Sequence, residues 1–314
     1  MDRPKADHVT SSEREPVELT PAVIRRVEEG LAAARHPQVQ QHTQTALENI
    51  AAIAREQSDF RVSGRFRRWL LRRFIRLLFR VAIEQPENIP PEPVVLVANH
   101  LSHLDPFLIL ASVPAHPYYY ILGDARTLYN KRWKRWVVGK AGGVIPLERW
   151  WKEEMAVMER ADRDRPDLKD LAEAINTDVP NGSSIKQMRQ IDQAIQAILQ
   201  RGDGIMLFPE GRLGNQEGQL HLPLKRGTVI YAMRSGVPIV PVAIAGTQTL
   251  YFRKRLTLRF GQPIPFEQQT RPKRADIDAA AEQVALALAE LLDPNYHDPK
   301  GSKPLQDWLN QLFW

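Results

Sequence analysis

The sequence predicts an α/β fold: a mixed, largely parallel central sheet flanked by helices, with an N-terminal helical extension. Short β-rich runs recur at 94–98, 118–122, 144–147, 205–208, 239–244 and 256–260. Amphipathic helical stretches lie between several of them, as at 185–199 and 225–234, and such alternation marks strand–helix–strand units. The 314 residues, 43% hydrophobic and 25% charged, suffice for a sizeable core and exclude wholesale disorder.

In chain order, residues 1–18 are polar and expected to be flexible. Residues 19–85 read as helical. Val23, Val27 and Leu31 fall on one face, and Leu47, Ile50, Ile53 and Ala54 on another. His36-Pro37 separates them, because a residue before proline is disfavoured in helix. Residues 61–83 hold eight arginines and no acid. As a helix, this segment places Arg65, Arg68, Arg72, Arg76 and Arg80 on one face. Phe66, Leu70, Phe74, Leu77 and Val81 take the opposite one. Trp69 and Phe79 stray towards the charged side, and Trp69 suits a half-wet interfacial position. Residues 86–270 carry the strand–helix alternation, with 150–184 a polar insertion or flap ending in Asn181-Gly182. Residues 271–314 are expected to be helical: a late helix at 273–292, then a short apolar face from Leu305, Trp308, Leu309, Leu312 and Phe313.

Lys and Arg number 43 against 37 Asp and Glu, a net +6, with pI ≈ 9.5. That balance points to an anionic partner: nucleic acid, lipid headgroups or a phosphorylated small molecule. With no cysteine, disulfides, zinc thiolates and a cysteine nucleophile are excluded. No run approaches the ~18 apolar residues of a spanning helix. The first residues lack the apolar core of a signal peptide. The expectation is a soluble or peripherally bound protein on the cytoplasmic side.

The segment Asn99-His100-Leu101-Ser102-His103-Leu104-Asp105 follows an apolar strand run and precedes a helical one. Reactive groups in open α/β sheets sit at carboxyl ends of strands. An Asp five residues after His100 can hydrogen-bond one imidazole nitrogen and leave the other to accept a proton. A histidine in a polar turn is the plainer alternative, and His100, His103 and Asp105 as metal ligands another. Ser102 as nucleophile is disfavoured, since the chain has no G-x-S-x-G elbow. A second turn, Phe208-Pro209-Glu210-Gly211-Arg212, ends another strand run. There Glu210 can accept hydroxyl hydrogens, Gly211 permits close approach of backbone N–H groups, and Arg212 can fork onto phosphate. Arg149 ends a third strand run, and Lys225 stands before a helix start, where the dipole also favours anions.

Four ordered blocks now stand out: Asn-His-x4-Asp at 99–105, Gly-x-Ile-x-Leu-x-Arg at 143–149, Phe-Pro-Glu-Gly at 208–211, and Val-Pro-Ile-Val-Pro-Val at 237–242. Together they resemble the signature of the glycerolipid acyltransferases, most nearly the 1-acylglycerol-3-phosphate type, over roughly residues 90–265. The resemblance implies His100 as general base and Asp105 as its orienting carboxylate. Arg149, Glu210, Gly211 and Arg212 would bind the glycerol phosphate acceptor, and Pro238 lies in a block with acyl-donor or structural roles. The family's third block continues with Thr then Arg, whereas Arg212 and Leu213 follow here. The implied reaction moves a fatty acyl group from acyl-CoA or acyl-carrier protein to lysophosphatidate, giving phosphatidate. It needs no metal or cofactor. Backbone N–H groups near the His turn or Gly211 are candidate oxyanion donors. Glycerol 3-phosphate or another lysolipid is the alternative acceptor. A lipid acceptor requires a membrane surface, which makes 61–83 a candidate in-plane helix on anionic headgroups. The competing class is a basic nucleic-acid-binding protein. Against it stand the bulky apolar backing of the arginines and the lack of a nucleic-acid motif, so no nucleic-acid partner is expected.

Overall fold

The structure, a computed structural model, describes residues 17–313 apart from 56, 58, 59 and 183. The expectation for 1–18 lies, through residue 16, outside the described residues. In chain order the elements are α1 (Pro21–Arg35), α2 (Pro37–Ile53), α3 (Gly64–Leu78), β1 (Arg80–Glu84), β2 (Val95–Ala98), α4 (Asp105–Ser112), β3 (Tyr119–Asp124), α5 (Ala125–Tyr129), α6 (Arg132–Ala141), β4 (Val144–Leu147), α7 (Lys152–Arg163), α8 (Lys169–Asp178), α9 (Ile185–Gln200), β5 (Gly204–Leu207), α10 (Gly227–Ser235), β6 (Ile239–Ala245), β7 (Arg255–Phe260), α11 (Arg274–Leu291) and α12 (Gln306–Phe313).

The chain divides into two compact units. The smaller combines Met1–His36 with Glu148–Ser183. Its first helix starts where the Thr20 hydroxyl accepts the Val23 N–H at 3.3 Å, satisfying one of the unpaired donors at a helix start. Val27 and Leu31 of α1, Val157 of α7 and Ile175 of α8 form its core. The polar 150–184 segment thus folds as helices with an apolar stripe of their own, shared with α1.

The larger unit holds a seven-stranded sheet in the order β1-β7-β6-β2-β5-β3-β4. Strands β2 to β6 run parallel to one another, β7 is antiparallel to β6, and β1 is parallel to β7. Side chains alternate across the sheet with period two. Leu96, Met206, Val240 and Val242 face the core built with α3, α4 and α12. Val95, Val97, Ile205 and Ile239 face the core built with α9, α10 and α11. Both faces are covered, which is why these strands read as continuous apolar runs rather than alternating ones. The expected mixed, largely parallel sheet flanked by helices is observed, with helices leading it.

Two features of 61–83 differ from expectation. The helix stops at Leu78, and Arg80–Glu84 form β1, where Arg80 donates to the Lys254 carbonyl at 2.8 Å. Val81 and Ile83 point the same way along the strand and pack on the core, which suits a half-buried strand. The buried stripe of α3 is also rotated: Gly64, Arg67, Leu71, Ile75 and Leu78 face inward. Gly64 permits this, since a Cβ there would come within 2.3 Å of the Ala115 carbonyl oxygen. Arg67 permits it too. Its guanidinium lies 3.7 Å over the Tyr118 ring and donates to the Tyr119 carbonyl at 2.9 Å, so a charged residue is buried with its donor engaged. Phe66, Trp69 and Leu77 are left exposed.

Candidate active site

Strand β2 lies between β6 and β5, and its exit is held from both sides. Asn99 is fully buried. Its amide donates to the Ile244 carbonyl at 3.0 Å and accepts the Ile244 N–H at 2.7 Å, imitating one more peptide rung beyond the Ala98–Val242 pair. His100 follows. Its N–H donates to Glu210 Oε1 at 2.9 Å, and its carbonyl accepts the Gly214 N–H at 2.5 Å. The segment after β5 therefore grips the His100 peptide at both ends.

The imidazole is fixed as well. Nδ1 lies 2.9 Å from Asp105 Oδ2. That same oxygen accepts the N–H groups of Leu101 at 2.7 Å and Ser102 at 2.8 Å. Asp105 opens α4 with no exposure, and the helix N-terminus favours its charge. An ionised carboxylate can only accept, so Nδ1 carries the ring proton and Nε2 presents a lone pair. The ring stacks on Phe208 with centroids 4.0 Å apart, and the His100 side chain keeps 16% exposure. The imidazole is thus oriented, partly dry and still accessible, as a general base needs to be.

The second turn is held by hydrogen bonds within the fold. Glu210, expected to accept substrate hydroxyl hydrogens, is buried, and each of its oxygens already accepts a backbone N–H: Oε1 from His100 and Oε2 from His221, both at 2.9 Å. Burial pushes its carboxyl up, while those two N–H groups and the Arg212 charge pull it down. Gly211 has φ +66° and donates its N–H to the Phe208 carbonyl at 3.1 Å, so glycine is required by a tight turn in left-handed backbone. With His100, Leu101, Ser102 and Gly211 all donating within the fold, these N–H groups do not stand ready as oxyanion donors. One Arg212 nitrogen lies 2.5 Å from His221 Nδ1. Arginine only donates, so that nitrogen of His221 accepts. Lys225 is exposed, and its N–H ties to the Pro209 carbonyl at 2.8 Å. Pro238 supports β2 through a 3.0 Å bond from the Val95 N–H.

Arg149 belongs to the smaller unit, exposed, two residues past β4. It is not among the groups that the larger unit gathers around His100. Three residues without an assigned role in the sequence reading now have one: Asn99, Phe208 and His221. Only the first two sit in a recognisable block. Among the described residues no three metal-ligating side chains come together, and no helix is long and apolar enough to cross a membrane. A cavity of about 20 Å³, room for roughly one water, is lined by His42, Tyr120, Tyr129 and Val144 near the start of β4, at the opposite strand end from His100.

A family model described as Acyltransferase matches residues 80–245. Among similar curated proteins, a probable 1-acyl-sn-glycerol-3-phosphate acyltransferase from Mycoplasma pneumoniae is 27% identical over 54% of this chain and 50% of its own length. The 1-acyl-sn-glycerol-3-phosphate acyltransferase alpha of Ovis aries is 29% identical over 71% of this chain and 66% of its own. The chain thus spans about half to two-thirds of these relatives. A solved structure, the 1-acyl-sn-glycerophosphate acyltransferase PlsC from Thermotoga maritima, aligns with TM-score 0.44 and 18% identity, covering 88% of this chain and 89% of that one. The matched span exceeds half of the 314 residues and runs from β1 through β6, the His100 turn included: the chain belongs to the Acyltransferase family.

Proposed function

We propose that this chain transfers a fatty acyl group from an acyl thioester, acyl-CoA or acyl-carrier protein, to the free hydroxyl of lysophosphatidate, giving phosphatidate. The observation that carries this reading is the His100 Nδ1–Asp105 Oδ2 contact at 2.9 Å, set at the carboxyl end of β2. Nε2 takes the hydroxyl proton as the oxygen attacks the thioester carbonyl, and returns it to the departing thiol. Asp105 stabilises the imidazolium between these steps. Direct transfer suits a chain with no cysteine and no serine elbow. Arg212 and Lys225 supply positive charge for the acceptor phosphate. Glu210 acts as a strut that sets the His100 peptide. The names of the relatives support the acceptor class, and the lipid nature of acceptor and product calls for contact with a bilayer.

The test is an acyl-transfer assay on purified protein, with labelled acyl-CoA and acyl-carrier protein against lysophosphatidate, glycerol 3-phosphate and other lysolipids. Lysophosphatidate is expected to turn over fastest. Preference for glycerol 3-phosphate, or turnover of none, would overturn the reading.

A further inference from the structure

We propose that His221 is a positioning residue: its imidazole tethers the Arg212 guanidinium by one nitrogen and so presents the remaining edge to the acceptor phosphate. This deepens the lysophosphatidate reading, on which it rests, by naming the group that holds the phosphate-binding cation. Arg212 follows Gly211 directly, one position earlier than the resemblance implies, so whatever aims it belongs to this chain.

Arg212 Nη2 lies 2.5 Å from His221 Nδ1. Among the described residues the Arg212 guanidinium makes no other hydrogen bond or ion pair. A guanidinium can fork onto an oxyanion along two edges, and Nη2, with two hydrogens, belongs to both. One hydrogen given to His221 occupies one edge and leaves the other whole. A tethered arginine has also lost part of the rotamer freedom that phosphate binding would otherwise cost. Both side chains are half-buried, so the open edge can still be reached.

The tether is itself anchored. The His221 N–H donates to Glu210 Oε2 at 2.9 Å, and Glu210 Oε1 accepts the His100 N–H at 2.9 Å. One buried carboxylate thus holds the peptide of the base and the peptide of the residue that holds Arg212. Burial pushes the Glu210 carboxyl up, and His100 and Arg212 both pull against it, so base and cation belong to one site. The loop is closed at two further points, by the Gly214 N–H on the His100 carbonyl at 2.5 Å and the Lys225 N–H on the Pro209 carbonyl at 2.8 Å. A lysophosphatidate carries its hydroxyl and its phosphate on one three-carbon backbone. A fixed spacing between His100 and Arg212 lets both be met at once.

The experiment separates the His221 side chain from its peptide. His221→Leu removes the acceptor, and His221→Asn keeps the same branched shape with an oxygen where Nδ1 stood; both retain the N–H to Glu210. Binding of a short-chain lysophosphatidate to the full chain is measured by calorimetry without acyl donor, and kcat and KM by acyl transfer. We expect His221→Leu to raise Kd and the acceptor KM on the order of tenfold, the size of one charge-assisted hydrogen bond. Its kcat should stay within about twofold, and His221→Asn should recover most of the lost affinity. On an Arg212→Ala background, His221→Leu should add nothing, because the two side chains act as one unit. An unchanged Kd in His221→Leu, independent losses in the double variant, or a fall in kcat at unchanged acceptor KM would overturn the inference. So would a His221→Asn protein that binds no better than His221→Leu. The expected pattern of binding without any turnover would instead count against the acylation reading alone.

Discussion

Replacing Glu210 by Gln removes one charge and half of a clamp. The carboxylate accepts from the His100 and His221 N–H groups, both at 2.9 Å, at 5% exposure. Glutamine offers one accepting oxygen and one NH₂. Whichever way it turns, one N–H faces another donor. A bond to a charged acceptor contributes about 1.5–3 kcal/mol, and a buried N–H left unpaired costs about 1–3 kcal/mol. The burial that pushes the Glu210 carboxyl up is relieved in the amide, which offsets part of this. A net loss of about 2 kcal/mol follows, or roughly 3 °C in unfolding temperature for a chain of this length. The larger effect falls on rate. When the His100 peptide loses its anchor, Nε2 shifts, and a misplacement of about 1 Å costs on the order of 10² in rate. The assay is acyl transfer with the acceptor varied, below the unfolding transition. We expect kcat to fall by about ten- to a hundredfold with the acceptor KM within about twofold. A KM raised tenfold at unchanged kcat would place Glu210 on the acceptor and refute the strut.

Two further outcomes are expected. Arg212→Ala should raise KM for a phosphate-bearing acceptor more than KM for the acyl donor, measured by varying each in turn; the reverse ranking removes Arg212 from the acceptor site. Lys134 is buried, and desolvation, with the charge of Lys131, holds its amine down to about 7 from 10.5. Between those values the unfolded chain binds more protons, so this residue's penalty is full below pH 7 and is relieved as pH rises towards 10.5. Lys134→Met should therefore raise the unfolding temperature most at pH 6, with the gain shrinking by pH 10. Parallel melting curves for the two proteins would contradict this.

What could be read from sequence was what depends on local period. Six strands, the break at His36 and helices α9 and α11 stand in the pattern of apolar residues. Strand β1 did not, because its five residues continue an arginine-rich helix, and only pairing with Arg255–Phe260 makes them a strand. The inward face of α3 was hidden for a related reason. Its one charged member, Arg67, is buried by the Tyr118 ring and the Tyr119 carbonyl, partners some fifty positions away. At the site, the five-residue spacing of His100 and Asp105 at a strand end was legible. The work of Glu210 was not, since its partners are two backbone N–H groups that only the fold brings together. His221 lies in no motif, eleven residues beyond Glu210.

The central claim is that the Nε2 lone pair of His100, aimed by Asp105, removes the acceptor proton. The direct measurement is the steady-state rate of acyl transfer to lysophosphatidate by His100→Ala beside the wild type, with folding checked by thermal unfolding. The account predicts a folded variant whose kcat is lower by about 10²–10⁴. A folded variant that transfers acyl groups at the wild-type rate would contradict it.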